Sequence, residues 1–225
     1  MPENYPPAPG RRRRGRSSVS ADEILLAAEH VASDGYDALT MRAVANRMGA
    51  SPMALYRYFA TKDELIDAML DRVLGRMAPT PPSDDWLADL TAFATAHRSV
   101  LAAHPWAIVP LFTHSNPGVN AAMLGETAFA ILERGGVTGV DAVATFCGIL
   151  ALNYGWFAFT AARDATRAAV DPEAVLGEQL SRLPPEDFPH TLRVSQELSH
   201  FGSEAQYALA LRRLIGGTGM PATSS

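Results

Sequence analysis

Cationic side chains are concentrated near the beginning of the 225-residue chain, where Arg11–Arg14 and Arg16 form a cluster. Counting through Met77, 11 Lys and Arg accompany 10 Asp and Glu, whereas residues 78–225 hold 8 against 14. The net charge of −5 therefore hides a basic beginning and an acidic remainder. Clustered arginine favours binding to a polyanion such as nucleic acid, and a solvated basic tail is the alternative.

Residue types that support other chemistry are sparse. The single cysteine, Cys147, excludes an internal disulfide framework and a cysteine-built zinc site. His97 and His104 lie seven residues apart and His114 follows, but no third ligand stands at a metal-binding spacing. No nucleophile–base pair or phosphate loop is present in the sequence. We therefore expect no metal, no cofactor and no enzymatic activity.

The sequence signals for secondary structure are almost all helical. Ser20 to Glu23 reads as a capping box, Thr40 and Ser51-Pro52 mark two further helix starts, and Gly49 marks a turn. The stretch Pro79–Ser83 interrupts any helix and predicts a linker. The fold class is all-α. We expect a disordered Arg-rich arm at 1–17, a head of three helices plus a connecting helix at 18–78, a larger helical bundle at 84–217 and a disordered tail at 218–225.

The stretch from Val44 to Tyr58 is typical of two helices packed across a tight turn. Ala45 is small where a second helix must cross, Gly49 follows four residues later, and a helix from Pro52 to about Phe59 comes next. This spacing predicts a helix-turn-helix, with an ordinary helical hairpin as the alternative.

Residues 18–77 resemble the DNA-binding domain of the TetR family of bacterial transcriptional regulators. The string SPMALYRYFATKDELIDAM carries much of the resemblance, together with Gly35, Thr40, Ala45 and Gly49. The family often has histidine where this chain has Tyr58. The resemblance implies a dimeric DNA-binding protein whose second motif helix enters the major groove.

Roles on DNA follow from this placement. Met53 and Ala54 would meet thymine methyl groups, and Arg42 would read a guanine. Thr40, at a helix start, suits a phosphate, and the resemblance assigns phosphate contacts to Tyr56 and Lys62. Core packing is the alternative for both Tyr56 and Tyr58. The full set of predicted DNA-binding residues is Arg14, Arg16, Thr40, Arg42, Ser51, Pro52, Met53, Ala54, Tyr56, Tyr58 and Lys62.

The uncharged stretch from Ala142 to Ala162 is long enough to cross a membrane, but its polar residues and glycines favour a helix buried in a bundle. Small residues recur along one face, and a second face mixes aromatics with Asn153. The first face predicts close helix–helix packing and the second a cavity, with plain core packing as the alternative for both.

The string SEAQYALALRRLIGG resembles the last helix of the TetR-type C-terminal domain, which helps to build a four-helix dimer interface. The predicted dimer residues are Gly148, Ala151, Gly155, Ala158, Tyr207, Leu211 and Leu214. The predicted residues around a small-molecule effector are His97, Trp106, Phe112, His114, Met123, Phe129, Asn153 and Phe157.

We therefore expect a cytoplasmic, homodimeric repressor that binds a palindromic operator in double-stranded DNA and leaves it when a small apolar ligand binds the body. No membrane contact is expected. Two alternatives remain at this point: a helical carrier or enzyme whose head binds protein, and an architectural DNA-binding protein without a ligand.

Overall fold

A computed structural model describes residues 19–114, 118–167, 172–200 and 202–217. The regular secondary structure of these residues consists of helices, with no β-strand, which confirms the all-α prediction. The predicted arm at 1–17 and tail at 218–225 lie outside the described residues. The chain divides into two compact units between Lys62 and Asp63.

The first unit contains α1 (Ala21–Ser33), a 3-10 turn (Tyr36–Ala38), α2 (Met41–Met48) and α3 (Pro52–Leu55). The predicted capping box is confirmed, because the Ser20 hydroxyl accepts from the Glu23 amide at 3.2 Å and the Glu23 carboxylate accepts from the Ser20 amide at 2.9 Å. Gly49 ends α2 in the left-handed conformation, with φ at 65°. Glycine adopts that angle without strain because it has no Cβ, so the turn after α2 follows directly from the sequence.

A small apolar core holds these helices together. Ile24 and Ala28 on α1, Val44 on α2 and Leu55 on α3 are all fully buried. Side chains at i and i+4 share one face of a helix, so the buried pair on α1 forms a continuous stripe toward α2. Each helix of the head thus buries one apolar face in a shared core.

The third helix differs from its prediction. It ends at Leu55 rather than near Phe59, and the chain continues through hydrogen-bonded turns in which the amides of Tyr58 and Phe59 donate to the Leu55 carbonyl. The Ser51 hydroxyl makes no capping bond, although its backbone occupies the cap position. A capping side chain accepts from the amide of the second or third helical residue, and here the Ala54 amide donates to the Ser51 carbonyl at 2.9 Å instead.

The second unit contains nine α-helices within the described residues, and a 3-10 turn (Pro105–Ala107) precedes the third of them. They are α4 (Lys62–Leu74), α5 (Trp86–Ala103), α6 (Ile108–Leu111), α7 (Val119–Arg134), α8 (Gly139–Arg167), α9 (Pro172–Ser181), α10 (Pro189–Arg193), α11 (Ser195–Ser199) and α12 (Glu204–Gly216). Residues 187–200, whose apolar pattern predicts one helix, are divided between α10 and α11.

Four long helices build the core of this unit. α5, α7, α8 and α12 contribute fully or nearly fully buried side chains, among them Phe93, Leu132, Ile149 and Leu211. Leu74, at the end of α4, belongs to the same core. This explains why α4, which the sequence assigned to the head, is counted with the second unit: its last turn is buried against the body.

The predicted linker is non-helical at Pro79–Ser83 and is fastened to the body by Asp89 on α5. The Asp89 carboxylate accepts from the Ser83 amide at 2.9 Å and also pairs with the Arg134 guanidinium. The Ser83 amide, the Arg134 guanidinium and the Ser83 hydroxyl together lower the pKa of Asp89 to about 2. The carboxylate is therefore ionised at any physiological pH and anchors the linker.

α8 is apolar and long enough to cross a membrane by length and composition, and 22% of its most apolar window is buried in the single chain. The prediction that this helix is buried in its own bundle therefore holds for one face only. Asn153, Ile149 and Thr145 point inward, whereas Ala144, Cys147 and Ala151 are exposed.

Candidate functional site

The α2–turn–α3 segment has the packing that a helix-turn-helix requires. Ala45 is fully buried where the two helices meet, and the Ala50 amide donates to the Ala45 carbonyl at 2.9 Å across the turn. Val44 and Leu55 close the apolar seam from either side. A larger residue at 45 would push the helices apart, so a small side chain is needed here.

The opposite surface of this segment carries most of the predicted DNA-binding residues. Met53 is 72% exposed, a high value for a large apolar side chain. Tyr56 is 45% exposed. Side chains of Thr40, Arg42, Ser51, Pro52 and Lys62 are exposed as well, and Ala54 is half-buried. An outward surface with a guanidinium, an ammonium and an uncovered thioether can meet both phosphates and base edges.

Two of these residues also make contacts within the head. The Thr40 hydroxyl accepts from the Ala43 amide at 3.0 Å and caps α2, as its position in the sequence predicted. The Lys62 ammonium lies 5.7 Å from the centre of the Tyr36 ring. This cation–π contact orients the lysine while its N–H groups remain available to an acceptor.

Tyr58 makes a contact within the head. Its hydroxyl donates to the Val19 carbonyl at the start of α1. A phenol has one proton to donate, so the same hydroxyl cannot also donate to a phosphate. Tyr58 therefore ties the end of the helix-turn-helix to α1, which favours packing within the head over contact with DNA; the DNA contact of this residue stays a prediction.

Arg47 and Arg57 were missed by the sequence analysis. Both are exposed, and both line an open groove of about 1010 Å³ that runs from the start of α1 to Ser51 and Ala54. Arg47 precedes the turn at the end of α2 and Arg57 follows α3, and this nearness to the helix-turn-helix is the signal that could have found them. Arg14 and Arg16 lie outside the described residues.

A second candidate site lies inside the body and is built around His97 on α5. Asn153, on α8, donates from its amide nitrogen to the Ala94 carbonyl at 2.9 Å and faces His97 Nδ1 at 3.0 Å. The Asn153 carbonyl oxygen accepts from the Tyr207 hydroxyl at 2.7 Å. All four residues of this network belong to the four-helix core, and His97 and Asn153 have no exposed surface.

This network fixes the position of the imidazole proton. A carbonyl only accepts, so the Ala94 contact orients the Asn153 amide with its nitrogen toward His97. The amide then donates to His97 Nδ1, and the ring proton must sit on Nε2. Burial lowers the pKa of His97 to about 4, so the ring is neutral near pH 7. His97 Nε2 is buried and has no hydrogen-bond partner among the described residues.

Tyr154 joins two of the predicted ligand residues and was itself missed. Its ring lies 5.4 Å from the His97 ring and 6.0 Å from the Phe112 ring, in edge-to-face arrangements. Burial raises the pKa of Tyr154 to about 12, so its hydroxyl stays protonated. The sequence predicted a ligand-binding face of α8 that includes Asn153 and Phe157. Tyr154 was missed because it lies next to that face and not on it.

Three of the other predicted ligand residues make contacts elsewhere in the body. Phe129 packs on Phe146 at 5.1 Å between ring centres, and His114 pairs with Asp67 of α4. Met123 is 59% exposed and lines a separate cavity of about 260 Å³. None of these contacts involves His97.

The remaining two, Trp106 and Phe157, show no contact that places them at the network. Trp106 is buried with its indole nitrogen unpartnered among the described residues, and Phe157 is half-buried. Of the predicted ligand residues, the structure thus brings His97 and Asn153 together and links Phe112 to them through the Tyr154 ring.

The predicted dimer residues fall into two groups. Ala151, Gly155 and Ala158 on α8 are exposed in the single chain. Tyr207 and Leu211 are buried within their own chain, at 4% and 2% exposure.

The predicted seam on α12 is therefore wrong for Tyr207 and Leu211, because that face packs against α5 and α8. The Arg98 guanidinium of α5 lies 4.0 Å from the centre of the Tyr207 ring. A Cβ on Gly148 would lie 3.0 Å from Leu214, so this predicted pair packs within one chain, between α8 and α12.

Comparison with known proteins matches both units. Residues 24–69 match the family described as "Bacterial regulatory proteins, tetR family", and residues 78–220 match "Tetracyclin repressor-like, C-terminal domain". An "HTH-type transcriptional regulator" of Saccharopolyspora erythraea is 34% identical over 65% of this chain and 62% of its own length. The "HTH-type transcriptional repressor DrrR1" of Streptomyces coeruleorubidus is 38% identical over 43% of this chain and 38% of its own length. The matched part thus spans less than two thirds of either relative.

Solved structures share the fold. ActR of Streptomyces coelicolor in complex with actinorhodin has a TM-score of 0.83 at 22% identity and covers 90% of this chain and 96% of its own. A TetR variant from Acinetobacter baumannii AYE in complex with minocycline has a TM-score of 0.67 at 22% identity, over 92% and 97% of the two chains. The two family matches cover the helix-turn-helix and the helical body described above. This chain therefore belongs to the tetR family of bacterial regulatory proteins.

Proposed function

We propose that this protein is a homodimeric repressor that binds a palindromic operator through α2 and α3 and is released by a small apolar ligand in its body. The observation that carries the proposal is that Met53, the second residue of α3, is 72% exposed. Exposing an apolar side chain of this size to water is unfavourable, and a thymine methyl would cover it.

Charge supports the same surface. Residues 1–62 hold nine Lys and Arg against six Asp and Glu, although the whole chain is acidic. Arg42, Arg47, Arg57 and Lys62 are all exposed in this unit. Contacts of these cations with phosphates would release counterions from the duplex and make binding depend steeply on salt.

Dimerisation is supported by the exposed side of α8. Ala144, Ala151, Gly155 and Ala158 leave a line of small, apolar surface along a helix that its own chain covers on one side only. Helices that carry small residues on a shared face approach one another closely. A second copy of the chain would bury this face, and two copies would read the two halves of a symmetric site, centred about 34–36 Å apart.

Ligand response is supported by the buried polar network at His97 and by the structural neighbours. ActR, which has this fold, has been crystallised with actinorhodin, and the TetR variant with minocycline. A ligand releases a repressor only if it binds the released conformation more tightly than the DNA-bound one. We place the effector of this protein beside His97, Tyr154 and Phe112, and the protein in the cytoplasm.

Footprinting on the DNA that flanks the coding region of this protein tests the proposal. We expect a protected site with twofold symmetry and an affinity that falls by about 0.9 log units per log unit of salt for each phosphate contacted. A random duplex of the same length is the control. Equal, weak and salt-independent binding to both duplexes would contradict the proposal and favour a carrier or enzyme whose head binds protein.

A further inference from the structure

A cavity of about 260 Å³ lies between the end of α4 and the beginning of α7. One of its walls is formed by residues 74–80, which end α4 and begin the linker. The other wall is one face of α7, since its residues are spaced by three and four positions. These residues are Asn120, Met123, Leu124 and Thr127. The walls do not include His97, Tyr154 or Phe112, so this cavity is separate from the effector site proposed above.

The two walls are fastened to each other next to the cavity. The Asp71 carboxylate of α4 accepts from the Asn120 amide at 2.8 Å, from the Asn120 side-chain nitrogen at 2.9 Å and from the Ala121 amide at 3.1 Å. A Cβ on Gly75 would lie 2.8 Å from the Asn120 side chain, so the walls approach each other closely at this point. Because hydrogen bonds fix both walls, a ligand would find the cavity already formed and would not have to open it.

The walls are uncharged and mostly apolar. Among the described residues that form them, no side chain carries a charge. Leu74 and Leu124 are buried in the core of the body, and Met77 packs against that core. The Thr127 hydroxyl already donates to the Met123 carbonyl at 2.9 Å. A charged molecule would lose hydration here without meeting an opposite charge, so these walls favour a neutral molecule.

The volume of the cavity and its two methionines indicate the size and kind of molecule. An apolar cavity of about 150 Å³ holds one benzene molecule, so a cavity of about 260 Å³ suits one or two fused rings. Met77 and Met123 belong to opposite walls, and thioethers adapt to a ligand and make favourable contacts with aromatic rings. Met123 is 59% exposed, and a ring that covered it would remove apolar surface from water.

We propose that this cavity is a second small-molecule site, which binds a neutral, apolar molecule of one or two aromatic rings between Met77 and Met123. The inference goes beyond the proposed function, since it requires neither an operator nor the effector at His97. The bound ring lies beside Gly75 and Asn120 and bridges the two walls. It therefore stabilises the folded body, because the site exists only when both walls are in place.

Two pairs of probes test this on the purified full chain without DNA, labelled with carbon-13 at the methionine methyl groups. They are benzyl alcohol with benzoate, and 2-naphthalenemethanol with 2-naphthoate; each pair shares one ring system and differs in charge. We expect at least one alcohol to shift the methyl resonances of Met77 and Met123 and to bind about tenfold more tightly than its carboxylate. Met77→Leu and Met123→Leu, each of which removes one of the eight methionines, assign these two resonances.

A matched pair of variants separates this cavity from other apolar surface. Met123→Trp places a large ring at the opening of the cavity, so the alcohol should no longer shift the Met77 resonance or raise the Tm. Val119→Trp is the control: Val119 is 72% exposed on the same helix and lies outside the walls of the cavity, so binding should be kept. Both substituted side chains are exposed, so we expect both variants to fold.

Three results would overturn the inference: resonances of Met77 and Met123 that no alcohol shifts, equal binding of alcohol and carboxylate in both pairs, or an unchanged shift of Met77 in Met123→Trp. Footprinting without these compounds reports on the operator alone, so either proposal can fail while the other stands. Loss of footprinting with intact binding of the alcohol would overturn the repressor and leave this site.

Discussion

The side-chain amide of Asn153 on α8 donates to Nδ1 of His97 on α5 across 3.0 Å, in the fully buried centre of the body. The two residues are 56 positions apart in the sequence. Their contact joins two of the four helices of the core and leaves the imidazole neutral, which makes the stability of the body depend on pH.

The sign of this dependence follows from the lowered pKa of His97, which is about 4 in the folded chain against 6.5 when the ring is free. Below pH 6.5 the unfolded chain takes up a proton that the folded chain refuses. The contribution is therefore fully present above pH 6.5 and is lost as the pH falls toward 4. We expect a loss of about 3 kcal/mol in the free energy of unfolding across this window.

Chemical unfolding of the unchanged protein and of His97→Phe at pH 7.5 and at pH 4 measures this loss. The variant should lose about 3 kcal/mol less than the unchanged protein between the two pH values. His190→Phe, on the exposed surface of α10, is the matched control and should follow the unchanged protein. Parallel behaviour of all three proteins would show that His97 takes up its proton as easily in the folded state.

Arg42 is predicted to read a base edge. Arg42→Ala should cost about 1–3 kcal/mol of operator affinity and relax the choice of base at one position of each half-site. Binding to a set of operators, each with one substituted base pair, measures both effects. Arg47→Ala is the control on the same helix: its guanidinium pairs loosely with Asp34 at 3.9 Å, and the choice of base should not change.

An equal loss of affinity on operator and random duplex in Arg42→Ala would contradict base reading. It would make Arg42 a phosphate contact, since a phosphate carries no information about sequence.

Tyr56 and Tyr58 are two residues apart and about equally exposed, at 45% and 44%, yet we expect opposite effects from removing their hydroxyls. Tyr56→Phe should lower the affinity for operator and random duplex alike by roughly fivefold, because one phosphate contact is lost. Tyr58→Phe should leave the affinity unchanged and destabilise the head by about 1 kcal/mol, because the bond to the Val19 carbonyl is lost.

Fluorescence anisotropy with labelled duplexes measures the first effect, and thermal unfolding of each variant measures the second. A weaker affinity in Tyr58→Phe at a temperature where the variant is fully folded would return Tyr58 to the DNA surface. Unchanged affinity in Tyr56→Phe would make that ring a surface aromatic only.

The head could be predicted closely because its signals are local. The capping box at Ser20 and Glu23, the cap at Thr40 and the left-handed turn at Gly49 each depend on residues within four positions of one another. The length of α3 was overestimated, since nothing within the sequence of one short helix shows where its hydrogen bonds give way to turns.

The body was less predictable because its contacts are distant in sequence. Periodicity placed Asn153 on a different face of α8 from Ala151 and Gly155, but it did not show which face the chain buries. On α12 the same periodicity identified an apolar face through Tyr207 and Leu211 but could not tell whether its own chain or a second copy covers it. The spacing of apolar residues along a helix predicts which face is buried. Which helix or which chain covers that face depends on the fold.

Gly155 offers the cleanest test of the dimer. In its own chain a Cβ at this position would meet nothing within 4 Å, so Gly155→Leu should not disturb the folded body. Across an interface formed by the exposed face of α8, the leucine would hold two helices apart where small residues let them approach. We expect the variant to sediment as a monomer at concentrations where the unchanged protein is a dimer.

Gly177→Leu on α9 is the matched control, because its Cβ would also meet nothing within 4 Å and it lies away from α8 in the sequence. It should remain a dimer. Gly148→Leu is unsuitable as a test of the dimer, because the new side chain would clash with Leu214 of the same chain. Unfolding caused by this clash could be mistaken for dissociation of the dimer. If Gly155→Leu stays dimeric with an unchanged dissociation constant, the exposed face of α8 is not the interface, and the small residues along it serve another purpose.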